Sequence, residues 1–368
     1  MKIIRFLKEN CPSFVPWSLL SVVIFAILAL IAPYATPLAD FVNSWIATPL
    51  RVLMANLTYI LPISIFEIIL YLVPIGLVVL IVFLVLDKRG WGSRIRTLAA
   101  LIGVVAIIFS GYLSVMAIPY HTTPLNEHLG ISDINEVKTD ELFETTLYVQ
   151  GEVNALADKL ARDTDGVSRS GYTLGEISAL VSKSYSKVRE KYPFFYNFES
   201  RAKPVMSSYT MSDMGITGIY TYFTGEANIN MSYPDYSTVF VVAHEMAHQR
   251  GINRENEANF MAFLVCISSD DDFLRYSGYL YLYEYLASAL NRTDWELYAG
   301  IADNLSPLAL CDVRASNEIT KLHRQSPLYK FMQSLNNAYL KANGTDGVVS
   351  YGYIVRLAVA YYRPEIME

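Results

Sequence analysis

The sequence predicts an α+β protein, mainly helical, built as three N-terminal membrane-crossing helices followed by a water-facing part. Three observations carry that prediction. Long apolar stretches without a charged residue crowd the first third of the chain. A short region after residue 200 is rich in Val, Ile, Tyr and Thr, with alternation and a glycine at the turn, as a small sheet requires. Between that region and a run of helical patterns stands His244-Glu245-Met246-Ala247-His248, on what must be an active-site type of helix.

The apolar stretches come first. Leu19 to Ile31 lies inside a charge-free segment from Asn10 to Ala39, and Ile68–Leu86 and Leu98–Ile118 follow. Spans at about 15–35, 67–86 and 97–118 meet the length needed to cross a bilayer. Lys2, Arg5 and Lys8 before the first span suit a signal peptide, but the run outlasts one and two more spans follow, so an uncleaved anchor is expected. Lys88, Arg89, Arg94 and Arg96 sit between spans two and three, whereas the preceding loop has Arg51 alone. The positive-inside rule then places the N-terminus and the 87–96 loop in the cytoplasm, and everything beyond the third span outside. Phe41–Pro62, broken by Pro49 and Pro62, suits an interfacial or re-entrant segment. Glu67 is either an intramembrane carboxylate or a headgroup-level residue at a helix start.

The division expected is a membrane anchor over 1–118 and a second domain over 119–368, where charges spread and tyrosines abound. Pro124–Asp133 suits a linker, and Glu136–Arg162 has helical periodicity. Thr173 and Glu176 form a capping box opening a helix to about Lys191. Lys203–Tyr209 and Gly218–Met231 suit two or three strands. Further helices are expected over Asp272–Leu290, from Asp294, near Asp312 and Pro327, and over Tyr351–Tyr361, with Tyr276, Tyr279, Tyr283 and Leu286 on one stripe. His121 and His128, without a partner at ligand spacing, suit ordinary surface positions.

The chemistry is expected at the motif. Residues four apart share a helix face, so His244 and His248 aim two imidazoles at one point. Glu245 lies about 100° around the helix, within reach of a metal-bound water. This is the arrangement of a zinc peptidase, with Zn²⁺ as cofactor, a peptide or protein as substrate, and Glu245 as general base. A catalytic zinc needs a third protein ligand. Where a longer motif would place a third histidine stands Arg254, which cannot bind a cation. The next helix offers Glu255 and Glu257; Glu257 is preferred because it opens an apolar face, and Gly251 and Asn253 suit the reversal between the helices. Tyr276 and His323 are candidate donors to the oxyanion.

The motif followed by Glu257-Ala258-Asn259 resembles the gluzincin peptidases. The wider pattern FTGEANIN, HEMAHQRGINRENEANF, LRYSGYL and YLKANGTDGVVSYG resembles a bacterial membrane-protein family catalogued as domain of unknown function 3810. That resemblance implies a zincin-like domain on a three-helix anchor in a bacterial cell membrane, and names no substrate. In gluzincins an edge strand before the motif pairs with the peptide, which would make Glu226–Met231 that strand and Asn228 and Asn230 substrate contacts. Where gluzincins often carry an aspartate orienting a zinc histidine, this chain has Met261, leaving Asn259, Asp271 and Glu284 as substitutes.

Other classes fit less well. A formal charge of −6 and the absence of a basic stripe argue against a nucleic-acid partner. Of Cys11, Cys266 and Cys311 only the last two share a side of the membrane, and Cys266 falls on an apolar helix face that suits a buried thiol. Intramembrane proteolysis would need the motif inside a hydrophobic span, and Tyr233–Arg254 is too polar. The rival reading is a non-catalytic sensor or scaffold of the same fold, against which stands the presence of Glu245 beside both histidines.

Overall fold

A computed structural model describes residues 10–132, 134, 137–342 and 352–367. The basic residues Lys2, Arg5 and Lys8, together with Asp133, Glu136, Tyr351 and most of the YLKANGTDGVVSYG segment, lie outside them. The chain is mainly helical with one small sheet. Helix α1 (Phe14–Ile31) leads through a 3-10 turn into α2 (Thr36–Val42) and α3 (Thr48–Tyr59); α4 (Ile65–Leu86) and α5 (Trp91–Tyr112) follow. Phe14–Tyr34, Ile65–Leu86 and Trp91–His121 are long and apolar enough to cross a membrane. Packing of α1 on α5 depends on Gly103, where a Cβ would stand 2.5 Å from the Phe14 ring. Nearby, the hydroxyls of Ser21 and Ser110 meet at 2.8 Å. Helix α4 buries only Glu67.

Two π turns, Asn43–Ala47 between α2 and α3 and Leu113–Ala117 after α5, lock this end to the rest of the molecule. A π turn displaces carbonyls from the helical ladder, and these need other donors. Arg51, buried on α3, donates to Asn43 Oδ1 at 2.6 Å and to Val115 O at 2.6 Å. Asn253 donates to the carbonyls of Val115 and Met116. The opposite face of α3 exposes Leu50, Leu53, Leu57 and, just beyond it, Ile60, as an interfacial helix would. Pro49 does not break it, because it sits in the first turn, where its missing N–H has no helical partner.

After α5 come α6 (Leu125–Leu129), α7 (Thr139–Ala157) and α8 (Leu174–Lys191). The expected linker thus contains a helix, whose Leu125 and Leu129 are buried, and α7 stops short of Arg162. The capping box forms: Thr173 Oγ1 accepts from Glu176 N, and the Glu176 carboxylate accepts from Thr173 N at 2.8 Å. Strand β1 (Lys203–Val205) is shorter than expected because α9 (Ser208–Asp213) begins directly after it. Glu67 decides that boundary, accepting from Met206 N and Ser207 N at 2.8 Å each. Neither sequence reading of Glu67 anticipated this; the carboxylate is buried and fastens α4 to the segment entering α9.

Strands β2 (Gly218–Thr221) and β3 (Glu226–Asn230) complete a sheet of order β1-β3-β2, with β3 parallel to β1 and antiparallel to β2. Strand β3 is therefore the centre, not the expected edge, and all five of its residues are buried. Against the sheet lies α10 (Asp235–Gln249), followed by α11 (Glu255–Ile267) and α12 (Asp272–Thr293). The aromatic stripe of α12 is core, with Tyr276, Tyr279, Tyr283 and Leu286 all buried. Helices α13 (Trp295–Ala302), α14 (Pro307–His323), α15 (Pro327–Ala342) and α16 (Gly352–Met367) form the remainder. All three cysteines are free thiols, with Cys266 buried.

Candidate metal site and cleft

The site is built on the end of α10 and the start of α11. Apolar residues cover α10 on nearly every side, and Tyr185 of α8 donates to the Ala243 carbonyl at 2.7 Å. Arg250 closes the helix, lying 4.0 Å over the Tyr185 ring and donating to the Met246 and Phe198 carbonyls. A cation at a helix C-terminus is favourable, although burial lowers this guanidinium to about 10. Gly251 then reverses the chain at φ +93, a backbone region that penalises a Cβ. The reversal returns the Ile252 carbonyl to 2.8 Å from His248 Nδ1. That hydrogen bond keeps a proton on Nδ1, so Nε2 is the nitrogen that would give up its proton to offer a lone pair to a metal.

His244 Nε2 and His248 Nε2 stand 3.1 Å apart, and Glu255 Oε2 is 3.2 Å from the first and 3.7 Å from the second. Two ligands on a tetrahedral zinc, with bonds near 2.0–2.1 Å, must lie about 3.3 Å from each other. The donor set has that spacing and the required mixture of imidazole and carboxylate, so the residues present fit a zinc ion.

Glu257 is not among these donors. Its Oε1 accepts from Leu125 N at 3.1 Å and from Arg254 Nη1 at 2.8 Å, on the far side of α11. Residues two apart on a helix point about 200° from each other, so only one of the two glutamates can face the histidines. The sequence argument located the buried glutamate correctly and took burial as the mark of the ligand. The carboxylate beside the histidines instead borders an open cleft, and its side chain is 38% exposed.

Charges within the cluster support one another. Burial opposes ionisation of Glu255, but the two imidazoles, His248 above all, hold its carboxyl well below the usual range. His248 is likewise opposed by burial and pushed up to about 9 by Glu255. Glu245 shifts upward, because its burial outweighs the neighbouring imidazoles and the Tyr220 N–H. It is held by β2: a Cβ on Gly218 would stand 2.5 Å from Glu245 Oε1 and 2.5 Å from a Val241 methyl. Only glycine lets the strand come this close.

The chain matches the model of a family described as "Protein of unknown function (DUF3810)" over residues 39–359. It belongs to that family. Neither a curated protein nor a solved structure matches it.

In this family member the histidines and Glu245 line a cleft of about 640 Å³. Its walls are β2 and the loop before it, Tyr112 at the end of α5 and Met116 in the π turn after it, Tyr281 and Tyr285 of α12, and Met332 and Asn336 of α15. The other sequence candidates are elsewhere. Tyr276 donates to Asp312 at 2.5 Å in the core, and His323 pairs with Asp213 at 2.8 Å beneath the Tyr209 ring. Neither lines the cleft, whose tyrosines are Tyr112, Tyr220, Tyr222, Tyr281 and Tyr285. Asn228 and Asn230 are buried because β3 is central: Asn228 joins Ser64 to the Ile219 carbonyl, and Asn230 bonds Ser212 and Ile216. Of the residues offered to orient a histidine, Asn259 lines the cleft, Asp271 caps α12 and Glu284 accepts from Tyr236. His128 stacks on Phe194 with ring centroids 4.4 Å apart.

Sequence reasoning missed Gly218, Tyr220 and Arg51. The Tyr220 ring lies 6.5 Å from that of His248, and its hydroxyl faces the Arg51 guanidinium. Burial pushes Tyr220 up to about 12 and Arg51 down to about 10. No local signal marks Arg51, which lies far from the motif in sequence. An isolated glycine in a strand pattern, a sign of close backbone approach, was the available clue to Gly218.

Proposed function

We propose that this protein is a membrane-anchored zinc peptidase with a zincin-like arrangement of sheet and active-site helix. The observation that carries this reading is the convergence of His244, His248 and Glu255 within 4.8 Å, beside buried Glu245 and at the wall of a cleft. A zinc ion held there would polarise the scissile carbonyl and acidify a water. The remaining work belongs to the chain. Gly218 and the Tyr220 N–H fix the Glu245 carboxylate, which accepts the water's proton and passes it to the departing amine. An upward-shifted carboxyl suits a group that must also give the proton back. An extended peptide would lie along β2, the edge strand bordering the cleft.

The basic residues of the 87–96 loop favour a cytoplasmic loop and an extracytoplasmic cleft; export of a reporter fused after Ser93 would invert this orientation. The decisive experiment on function is Glu245→Gln in the full-length protein. It should retain zinc while cutting peptide hydrolysis by roughly 10²–10⁴-fold, the usual effect of losing a general base. Equal rates in wild type and variant would refute the mechanism, and zinc-loaded wild type that cleaves neither free nor membrane-anchored peptides would favour a scaffold.

A further inference from the structure

The cleft reaches the end of one apolar helix, α5, and the start of a second, α4, stands close by through Phe66 and Phe223. Helices α4 and α5 have 22 residues each, about 33 Å at 1.5 Å per residue, which matches the hydrocarbon thickness of a bilayer. Ile65, which begins α4, and Tyr112, which ends α5, therefore lie at the same membrane face. Aromatic rings gather there in a chain of contacts. Phe66 meets Phe223 at 6.1 Å, Phe223 meets Tyr222 at 5.3 Å, Tyr222 meets Tyr112 at 6.2 Å, and Tyr112 stacks on Phe109 at 6.1 Å. Tyr222 also donates to the Ile108 carbonyl within the span. Such a belt marks the membrane–water boundary. Tyr112 and Tyr222 line the same cleft as His244 and His248.

Strand β2 connects the two places. Gly218 touches Glu245, Tyr220 lies beside His248, and Tyr222 is in the belt. Two to four residues at about 3.3 Å each put the reacting position roughly 7–13 Å from the belt. The edge of β2 has a defined phase as well. Asn230 N donates to Thr217 O at 2.9 Å, so in an antiparallel pair Gly218 and Tyr220 turn their backbone groups away from β3. Helix α4, beside this opening, has none of its apolar length buried, leaving room for another membrane helix alongside.

We propose, building on the peptidase reading above, that the substrates are proteins anchored in the same membrane. They are cut in the extended segment where they leave it, within about five residues of the bilayer surface. The peptide pairs with the Gly218 backbone and the Tyr220 carbonyl, the Tyr220 N–H being held by Glu245, while its own membrane span stands near α4. A soluble polypeptide has no element that the aromatic belt would position.

The test uses the full-length protein in lipid nanodiscs with single-span reporter proteins. Each reporter carries a randomised tail segment about 3, 10 or 25 residues from its span, and the same tails are also offered without a span. Cleavage should favour the nearest spacing over the farthest by at least about tenfold, a register effect beyond that of tethering alone. Mass spectrometry should map the cuts to the first few residues outside the membrane. Equal cleavage at all spacings, or of free and anchored tails alike, would leave the peptidase standing and overturn the membrane-proximal substrate. Absence of any cleavage by metal-loaded protein would remove the peptidase reading and this inference together.

Discussion

Glu255 and Glu257 are two residues apart and do opposite things. Glu255 faces the histidines, while Glu257 holds Leu125 N and Arg254. In the full-length protein Glu255→Ala should therefore lose most of its bound zinc. Glu257→Ala should keep it and lower stability by about 1–3 kcal/mol, through an orphaned amide and a guanidinium that loses its carboxylate partner. Zinc analysis with thermal unfolding separates the two, and the reverse pattern would overturn the ligand assignment. Glu284 provides a pH signature away from the proposed metal site. Burial raises its carboxyl to about 7 from the ordinary 4.5. Below about 4.5 it is protonated in both folded and unfolded chains; as pH rises toward 7 only the unfolded chain ionises freely. Stability should fall across that window, by about 2 kcal/mol after allowance for residual solvent contact. Glu284→Gln should flatten this part of the pH–stability curve, and an unchanged slope would remove Glu284 as its cause.

At the scale of elements, the contact between β2 and α10 governs the site. Gly218 lets the strand pass over Glu245 and Val241. Gly218→Ala must push the strand or the carboxylate aside, with both histidines of α10 untouched. Zinc content should stay near that of wild type while hydrolysis falls by roughly 10–10²-fold, as misplacement of about 1 Å does. Full activity in this variant would show that the close approach does not matter. The two π turns work in the same way for Arg51, because the Asn43 side chain of one and the Val115 carbonyl of the other give a buried guanidinium its partners.

At the scale of the molecule, the apolar helices are more than a tether. The Glu226 carboxylate accepts from Ile65 N and Phe66 N at the start of α4, and Lys203 donates to the Thr58 and Leu61 carbonyls. Arg254 donates to the carbonyls of Tyr120 and Thr122. A fragment beginning at Pro119 would leave buried Lys203, Glu226 and Asn253 without these partners, and unpaired buried charges are among the costliest defects. That fragment should express as aggregate or melt far below the full chain in a thermal scan. A stable, zinc-binding fragment would show instead that residues 119–368 fold independently.

Periodicity and length are local properties, so the sequence by itself determined the apolar spans, the Thr173 capping box, the α12 stripe and the pairing of His244 with His248. Each depends on residues within one helix or its cap, where spacing fixes geometry. The tertiary structure decided the rest. Strand order made β3 the centre and β2 the edge, which buried Asn228 and Asn230 and brought Gly218 to Glu245. Rotation of α11 about its axis chose between two glutamates that hydrophobic patterning had ranked the other way, since patterning finds the buried face and the carboxylate beside the histidines lies on the other. Arg51 entered only through the fold, because a chain separation of about two hundred residues closes over Tyr220 and Gly251 only when the helices pack.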